Sequence, residues 1–245
     1  MERLMETGKE RGLSACGRWL ASLARLFVPR RCVVCGACLD DGEEVLCLEC
    51  DIAMPRTNYH LRADNPVEQR FWGRFPLERA TSYFRYGKDG DYRRILFRLK
   101  YEGRKDCAEA MGRLMAADLA RSGFFEGVDV LLPVPLHPDK QRLRGYNQSA
   151  CIAQGVSAVT GIPVSVGNVR RRKFTETQTR KSAHQRWDNV DGGFEAVDAA
   201  AFAGQHVLLL DDVLTTGATL TACADALAGV EGVRFSVLAL AVVER

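Results

Sequence analysis

The chain has 245 residues, of which 47% are hydrophobic and 27% charged, with a formal net charge of +3. That length holds one sizeable domain plus a small module. No repeat and no low-complexity tract occurs, and no apolar run reaches the roughly 20 residues that a membrane span requires.

Residues 1–31 contain an amphipathic stretch ending at Pro29, with Leu13, Cys16, Leu20, Leu23 and Phe27 on one helical stripe and Arg18 and Arg25 elsewhere. The pattern predicts a helix packed on a neighbouring module rather than one laid on a membrane. Five of the nine cysteines crowd into the next stretch, as Cys32, Cys35, Cys38, Cys47 and Cys50. Cys32-x-x-Cys35 and Cys47-x-x-Cys50 form two knuckles, eleven residues apart, whose four thiolates suit a closed tetrahedral Zn²⁺ site of structural type. Gly36 permits the tight turn after the first knuckle. Cys35-x-x-Cys38 is an equally legal pair by spacing, and Cys38 is treated as spare. Disulfides or redox thiols are the competing readings. The absence of a secretory leader pattern argues for a reducing, cytoplasmic setting, where clustered cysteines bind metal more often. Cys16, Cys107, Cys151 and Cys223 stand among apolar helical residues and are expected in the core.

Residues 51–78, punctuated by Pro55, Pro66 and Pro76, read as a connection. The expected organisation is a helix plus zinc module over 1–60, a connection over 61–78, and the main domain over 79–245. Within that domain Ala80–Tyr86 has strand character, Asp91–Lys100 and Lys105–Arg121 read as helices, Val128–Val134 as a strand, Asn147–Val159 as a helix and Ile162–Val169 as a strand. Val207–Leu210 is a further strand, followed by a helix and a last strand over Val233–Val243. Strands alternating with helices predict an α/β fold with a parallel sheet and helices on both faces, its ligand at the C-terminal ends of the strands.

Three stretches carry chemistry. The strand ending at Val134 runs into a segment with Lys140, Arg142 and Arg144, whose guanidinium groups suit the oxygens of a diphosphate; a solvated basic loop is the plainer alternative. Asn147 or Ser149 can cap the helix that follows. Residues 170–194 open with Arg170-Arg171-Arg172-Lys173, continue through Thr175, Gln178 and Arg186, and read as a polar excursion that also suits nucleic acid. The third stretch is the most specific: Asp211-Asp212 at the end of an aliphatic strand, then Thr215-Thr216-Gly217-Ala218-Thr219 turning into a helix. Backbone N–H groups and Thr hydroxyls at a helix N-terminus cradle an anion. The carboxylates suit neighbouring sugar hydroxyls or a hard cation such as Mg²⁺. The composite ligand is a phosphorylated ribose.

The third stretch resembles the signature of type I phosphoribosyltransferases, which bind 5-phosphoribosyl-1-pyrophosphate (PRPP). The whole chain resembles the ComF family, in Cys32/Cys35 with Cys47/Cys50, Lys100-Tyr101-x-Gly103, Pro133-Val134-Pro135-Leu136, Arg144-Gly145-Tyr146-Asn147-Gln148, Thr175-x-x-Gln178 with Arg186 and Asn189, and Asp211-Asp212-x-x-Thr215-Thr216-Gly217-x-Thr219. Tyr146 departs slightly from the Phe often found there.

The resemblance implies a cytoplasmic PRPP-binding phosphoribosyltransferase using Mg²⁺. In that reading Asp211, Asp212, Arg142 and Arg144 act in catalysis, and Thr215 to Thr219, the acidic pair and Arg144 bind PRPP. Arg172, Thr175, Gln178 and Arg186 belong to a flexible loop closing over the site. The family is linked to import of single-stranded transforming DNA, so DNA and uptake or recombination proteins are expected partners. No acceptor pocket is legible. A non-catalytic module gated by PRPP or a nucleotide is the competing reading.

Overall fold

The computed structural model describes residues 30–87, 90–171 and 193–243. The amphipathic stretch with Cys16 and the loop residues Arg172, Thr175, Gln178 and Arg186 lie outside the described residues.

The first helix, α1 (Leu48–Ile52), starts at the second cysteine knuckle, with Cys47 as its N-cap residue. The expected connection instead contains two short 3₁₀ turns, Tyr59–Leu61 and Glu68–Phe71. Asn65 holds this stretch in place, its amide donating to the carbonyl oxygens of Tyr59, Arg62 and Ala80. Strand β1 (Leu77–Tyr86) follows, three residues earlier than its apolar content suggested. Helices α2 (Arg93–Tyr101) and α3 (Lys105–Ala120) match their periodicity. Strand β2 (Val130–Pro133) leads into α4 (Pro138–Arg144). The basic segment is therefore a short helix rather than a loop, with Pro138 in its first turn and the His137 ring accepting the Asp139 N–H as a cap. Helix α5 (Gln148–Thr160) is capped by Asn147, whose side chain accepts the Ser149 N–H at 3.1 Å.

The strand expected over Ile162–Val169 does not form as such. Only a parallel bridge joins Val164 to Leu131 of β2. The chain then leaves the sheet for a two-stranded antiparallel ribbon of β3 (Val169–Arg171) and β4 (Phe194–Ala196). Strand β5 (His206–Leu214) runs through the acidic pair rather than stopping at it, helix α6 spans Ala218–Asp225, and β6 (Arg234–Val243) closes the sheet.

The main sheet is wholly parallel, in the order β1-β6-β5-β2. Alternation along β5 sends Leu208 and Leu210 into one core, with Met111, Met115, Ile152 and Val156 of α3 and α5. Val207 and Leu209 enter the other, with Leu220, Cys223 and Ala224 of α6 and with Phe71. Burial on both faces is why the strand reads as a continuous aliphatic run. Helices α3 and α5 approach closely at two glycines: a Cβ on Gly112 would lie 2.2 Å from the Ile152 carbonyl oxygen, and one on Gly155 would lie 2.1 Å from that of Glu109.

After β2 the chain moves outward to Val164, whereas after β5 it moves the other way, to β6. The direction of winding therefore reverses between β2 and β5. In an open parallel sheet, that reversal opens a crevice at the strands' C-terminal ends.

The cysteine module shares the first core. Cys32, Val33, Val34, Leu46 and Cys47 are buried in one cluster with Phe84, Ile95, Leu99 and Met111. Polar ties reinforce it: Arg113 pairs with Glu44 at 2.6 Å, and Arg56 bridges Asp51 of α1 and Asp118 of α3 at 2.6 and 2.9 Å. Cys107 and Cys223 are buried as expected, while Cys151 is half-buried.

Candidate functional site

Two sites emerge, linked through helix α2. The first is the cysteine cluster. The Sγ atoms of Cys32, Cys35, Cys47 and Cys50 all lie within 4.8 Å of one another, with Cys35 and Cys47 at 3.6 Å. A tetrahedral thiolate site with metal–sulfur bonds of about 2.3 Å has its sulfurs about 3.8 Å apart, so the four residues could hold a metal ion. The first knuckle closes through Gly36, at φ +80°, whose N–H donates to the Cys32 carbonyl. Burial raises the Cys32 thiol, but the backbone N–H groups of Cys35, Cys47 and Val34 outweigh it and bring it down to about 6. That thiolate is ready for a cation. Burial and the neighbouring thiols push the Cys50 thiol up. Cys38 is exposed and outside the cluster.

The second site lies at the crevice. Asp211 and Asp212 sit on β5, held by its ladder to β6, where Asp211 faces Ala239. Asp211 Oδ1 accepts the Ser149 hydroxyl at 3.0 Å and the Asp212 N–H at 2.9 Å. Burial, and then the charge of Asp212, push the Asp211 carboxyl up to about 7. Asp212 Oδ2 lies 3.3 Å from Lys100 Nζ at the end of α2. The pair is thus asymmetric: one carboxyl is tied into the fold and the other is paired with a cation.

The turn after β5 leaves Thr215, Thr216 and Ala218 exposed and Thr219 half-buried, around a buried Gly217. Gly217 is the N-cap of α6 at φ +84°, and a Cβ there would come within 2.8 Å of the Phe71 ring. Thr216 Oγ1 accepts the Ala218 N–H at 3.3 Å, and Arg70 donates to the Thr215 carbonyl. The helix start and the exposed Thr215 and Thr216 thus lie together at the end of β5.

The arginines of α4 diverge. Arg142 is exposed and pairs with Asp139 of its own helix. Arg144 turns inward, donating to Gln148 Oε1 at 3.0 Å with its guanidinium 6.0 Å from the centre of the Tyr101 ring. Gln148 precedes Ser149, the residue that reaches Asp211. Lys140 is exposed.

Lys100 carries no local sequence signal of a role at the site, and Ser149 none beyond capping. Lys100 belongs only to the Lys100-Tyr101-x-Gly103 pattern, and Ser149 and Asp211, 62 positions apart, carry no local signal of contact. Arg70 had no signal at all. A cavity of about 470 Å³ opens beyond β2, lined by Lys105, Leu132, Pro135, Tyr146, Asn147, Cys151, Ser165, Arg170 and Arg171. The Ser165 hydroxyl is buried without a partner among the described residues. Within the basic run, Arg170 pairs with Glu195, and the Arg171 guanidinium sits 5.2 Å from the Phe194 ring centre.

The fold and the acidic-pair turn define a phosphoribosyltransferase-type α/β domain, and residues 148–243 match the family described as phosphoribosyl transferase domain. Competence protein F of Haemophilus influenzae is 34% identical over 130 residues, 51% of this chain and 57% of that protein. DNA utilization protein YhgH of Escherichia coli K12 is 27% identical over 199 residues, 79% of this chain and 83% of the relative. Competence protein ComFC of Bacillus subtilis is 29% identical over 92 residues, 37% and 35% of the two chains. The chain is thus similar to ComF-family competence and DNA-utilization proteins, and its residues 148–243 to the phosphoribosyl transferase domain. It spans a little over half of the Haemophilus protein's length, 57%. Among solved structures, glutamine PRPP amidotransferase from B. subtilis overlaps 53% of this chain and 25% of its own at 22% identity and a TM-score of 0.36. Among the described residues, no helix is long and apolar enough to cross a membrane.

Proposed function

We propose that the protein is a cytoplasmic, PRPP-binding phosphoribosyltransferase serving the uptake or processing of single-stranded DNA. The observation that carries this reading is the Asp211/Asp212 pair and the Thr215–Thr219 cradle, side by side where the sheet reverses its winding. The cradle takes the 5-phosphate. The acidic pair takes the ribose hydroxyls, and it is a donor set of the kind that holds Mg²⁺. Arg144 and Arg142 supply positive charge for the departing pyrophosphate. As the C1–O bond lengthens, positive charge grows on the ribose and negative charge on the departing diphosphate. The carboxylates favour the first and the arginines the second. Binding energy at the 5-phosphate fixes the reacting carbon. No covalent nucleophile is needed. Bound Mg²⁺ would supply charge neutralisation at the diphosphate.

The cavity beyond β2 gives room near the site for an acceptor, with the unpartnered Ser165 hydroxyl and the Lys105 ammonium on its wall. Zn²⁺ in the four-cysteine cluster is the structural metal, because four thiolates leave no open position for chemistry. The competence and DNA-utilization names of the relatives support the cellular role. The basic run from Arg170 to Lys173 supports weak, salt-sensitive contact with single-stranded DNA.

The test is pyrophosphate release from PRPP with Mg²⁺, screened against bases, nucleosides, glutamine and single-stranded DNA. Release above the buffer rate with one acceptor, lost in Asp212→Asn, supports the enzyme. Tight PRPP binding with no release against any acceptor replaces it with a PRPP-gated binding module.

A further inference from the structure

Helix α2 touches both sites. At its start, the Tyr92 hydroxyl, on the residue preceding the helix, donates to the Cys50 carbonyl at 2.8 Å. The Arg94 guanidinium donates to the Val34 carbonyl at 2.7 Å, inside the first knuckle. Ile95, Leu96 and Leu99 then bury into the cluster that holds Cys32 and Cys47. At its end, three consecutive residues each meet a different part of the crevice. The Leu99 carbonyl accepts the Tyr146 hydroxyl, at the turn between α4 and α5. Lys100 Nζ lies 3.3 Å from Asp212 Oδ2. The Tyr101 ring lies under the Arg144 guanidinium at 6.0 Å. The helix has nine residues, a span of about 13 Å at 1.5 Å per residue.

From this geometry we infer that α2 is a strut through which the four-cysteine metal site sets the affinity of the acidic-pair site for PRPP, with Lys100 and Tyr101 as positioning residues for Asp212 and Arg144. The inference rests on the PRPP reading of that site.

The physical chain is short. A metal bound to Cys32, Cys35, Cys47 and Cys50 fixes the two backbone carbonyls, of Val34 and Cys50, that receive the bonds from Arg94 and Tyr92. Those bonds, with the buried Ile95 and Leu99, fix the helix along its axis and about it. A helix shifted or frayed at its start moves its last turn as well, because the elements between are packed and not compressible. Lys100 and Tyr101 are the residues that feel that movement. Lys100 is three-quarters buried and Asp212 more so, at 25% and 13% side-chain exposure, so their pairing is shielded from solvent screening and depends on position. Metal loss then leaves Asp212 without Lys100, and Arg144 with Gln148 but without the Tyr101 ring, while the Thr215–Thr219 cradle, flanked by Leu214 and Leu220 of the other core, stays in place.

Coupling between two binding sites is reciprocal: if metal tightens PRPP binding, PRPP tightens metal binding by the same factor. The experiment uses the full chain loaded with zinc. PRPP affinity with Mg²⁺ is measured by calorimetry for the wild type, Arg94→Ala, Lys100→Met, Lys100→Arg and Tyr101→Leu, each checked for zinc content and melting temperature. Separately, the equilibrium zinc affinity of the wild type is measured by competition with a chelator, with and without PRPP. Arg94→Ala touches neither ligand, and it is expected to keep its zinc and weaken PRPP about five- to tenfold, the range of modest site-to-site coupling. Lys100→Met weakens it by at least as much, and Lys100→Arg recovers part of the loss. PRPP tightens zinc binding to the wild type severalfold.

If the wild type binds no PRPP, the reading of the acidic-pair site fails and takes the strut with it. If the wild type binds PRPP, but Arg94→Ala binds it equally and PRPP leaves zinc affinity unchanged, the strut fails and the PRPP reading stands. Should Arg94→Ala lose zinc or unfold, the wild-type zinc affinities decide alone: tighter zinc binding with PRPP supports the coupling and unchanged binding overturns it.

Discussion

The Ser149 hydroxyl, in the first turn of α5, donates to Asp211 Oδ1 at 3.0 Å and ties the helix after β2 to the acidic pair on β5. This bond spans the crevice at the point where the winding reverses. It also makes Asp211 the structural member of the pair and leaves Asp212, facing Lys100, as the one more open to exchange with a ligand.

Asp211 sets a pH dependence. Its carboxyl is pushed up to about 7 by burial and by Asp212, against an ordinary value of 3.8. A raised carboxyl binds its proton more tightly when folded than when unfolded. Its stabilising effect is therefore complete below about pH 4 and is lost as the pH rises through about 7. Asp211→Asn keeps an acceptor for Ser149 and for the Asp212 N–H. It is expected to raise apo stability at pH 8 by about 1–3 kcal/mol, discounting the shift for partial exposure. Below pH 4 the gain disappears. Melting curves at pH 4 and pH 8 decide it; an equal gain at both would show that the charge of Asp211 is not the cause. The same variant weakens PRPP binding, the usual cost of easing a strained site.

Gly217→Ala faces two obstacles at once, a φ of +84° and a Cβ 2.8 Å from the Phe71 ring. Left-handed backbone and ring displacement together cost about 1–3 kcal/mol. Because Phe71 sits on the 3₁₀ turn whose neighbour Arg70 reaches Thr215, the cradle moves with it. Denaturant unfolding should show the stability loss, and calorimetry a larger fractional loss of PRPP affinity than of stability. Unchanged affinity would remove the turn from the phosphate site.

Metal removal should act on the whole domain. Cys32 and Cys47 are 0% and 8% exposed, in one core with Phe84, Ile95 and Leu99, so the module cannot loosen alone. Elemental analysis is expected to give one Zn²⁺ per chain. Chelation, or Cys47→Ser, should lower a single cooperative calorimetric transition by at least about 5–10 °C, the scale of losing a tightly bound ligand in a domain this size. A small early transition with the main one unmoved would mean the module unfolds by itself.

The readings divide by the range of the physics behind them. The cysteine knuckles, the acidic pair, the threonine turn and the parallel aliphatic strands were legible in the amino-acid sequence. Each is a local pattern: thiolate spacing sets a tetrahedron, Gly217 sets one backbone conformation, and a run such as Val207–Leu210 needs burial on both faces. The strand expected over Ile162–Val169 was apolar enough but found only the edge of β2 to pair with, and it ended as a single bridge at Val164. The basic segment read as a loop because its composition is polar, yet Pro138 and the His137 cap start a helix that turns Arg142 to solvent and Arg144 inward. Lys100 against Asp212, Ser149 against Asp211 and Arg70 against Thr215 were decided by the tertiary structure alone. Their partners lie 62 to 145 residues away, and what joins them is the order of strands in the sheet, which is set by how the whole core packs.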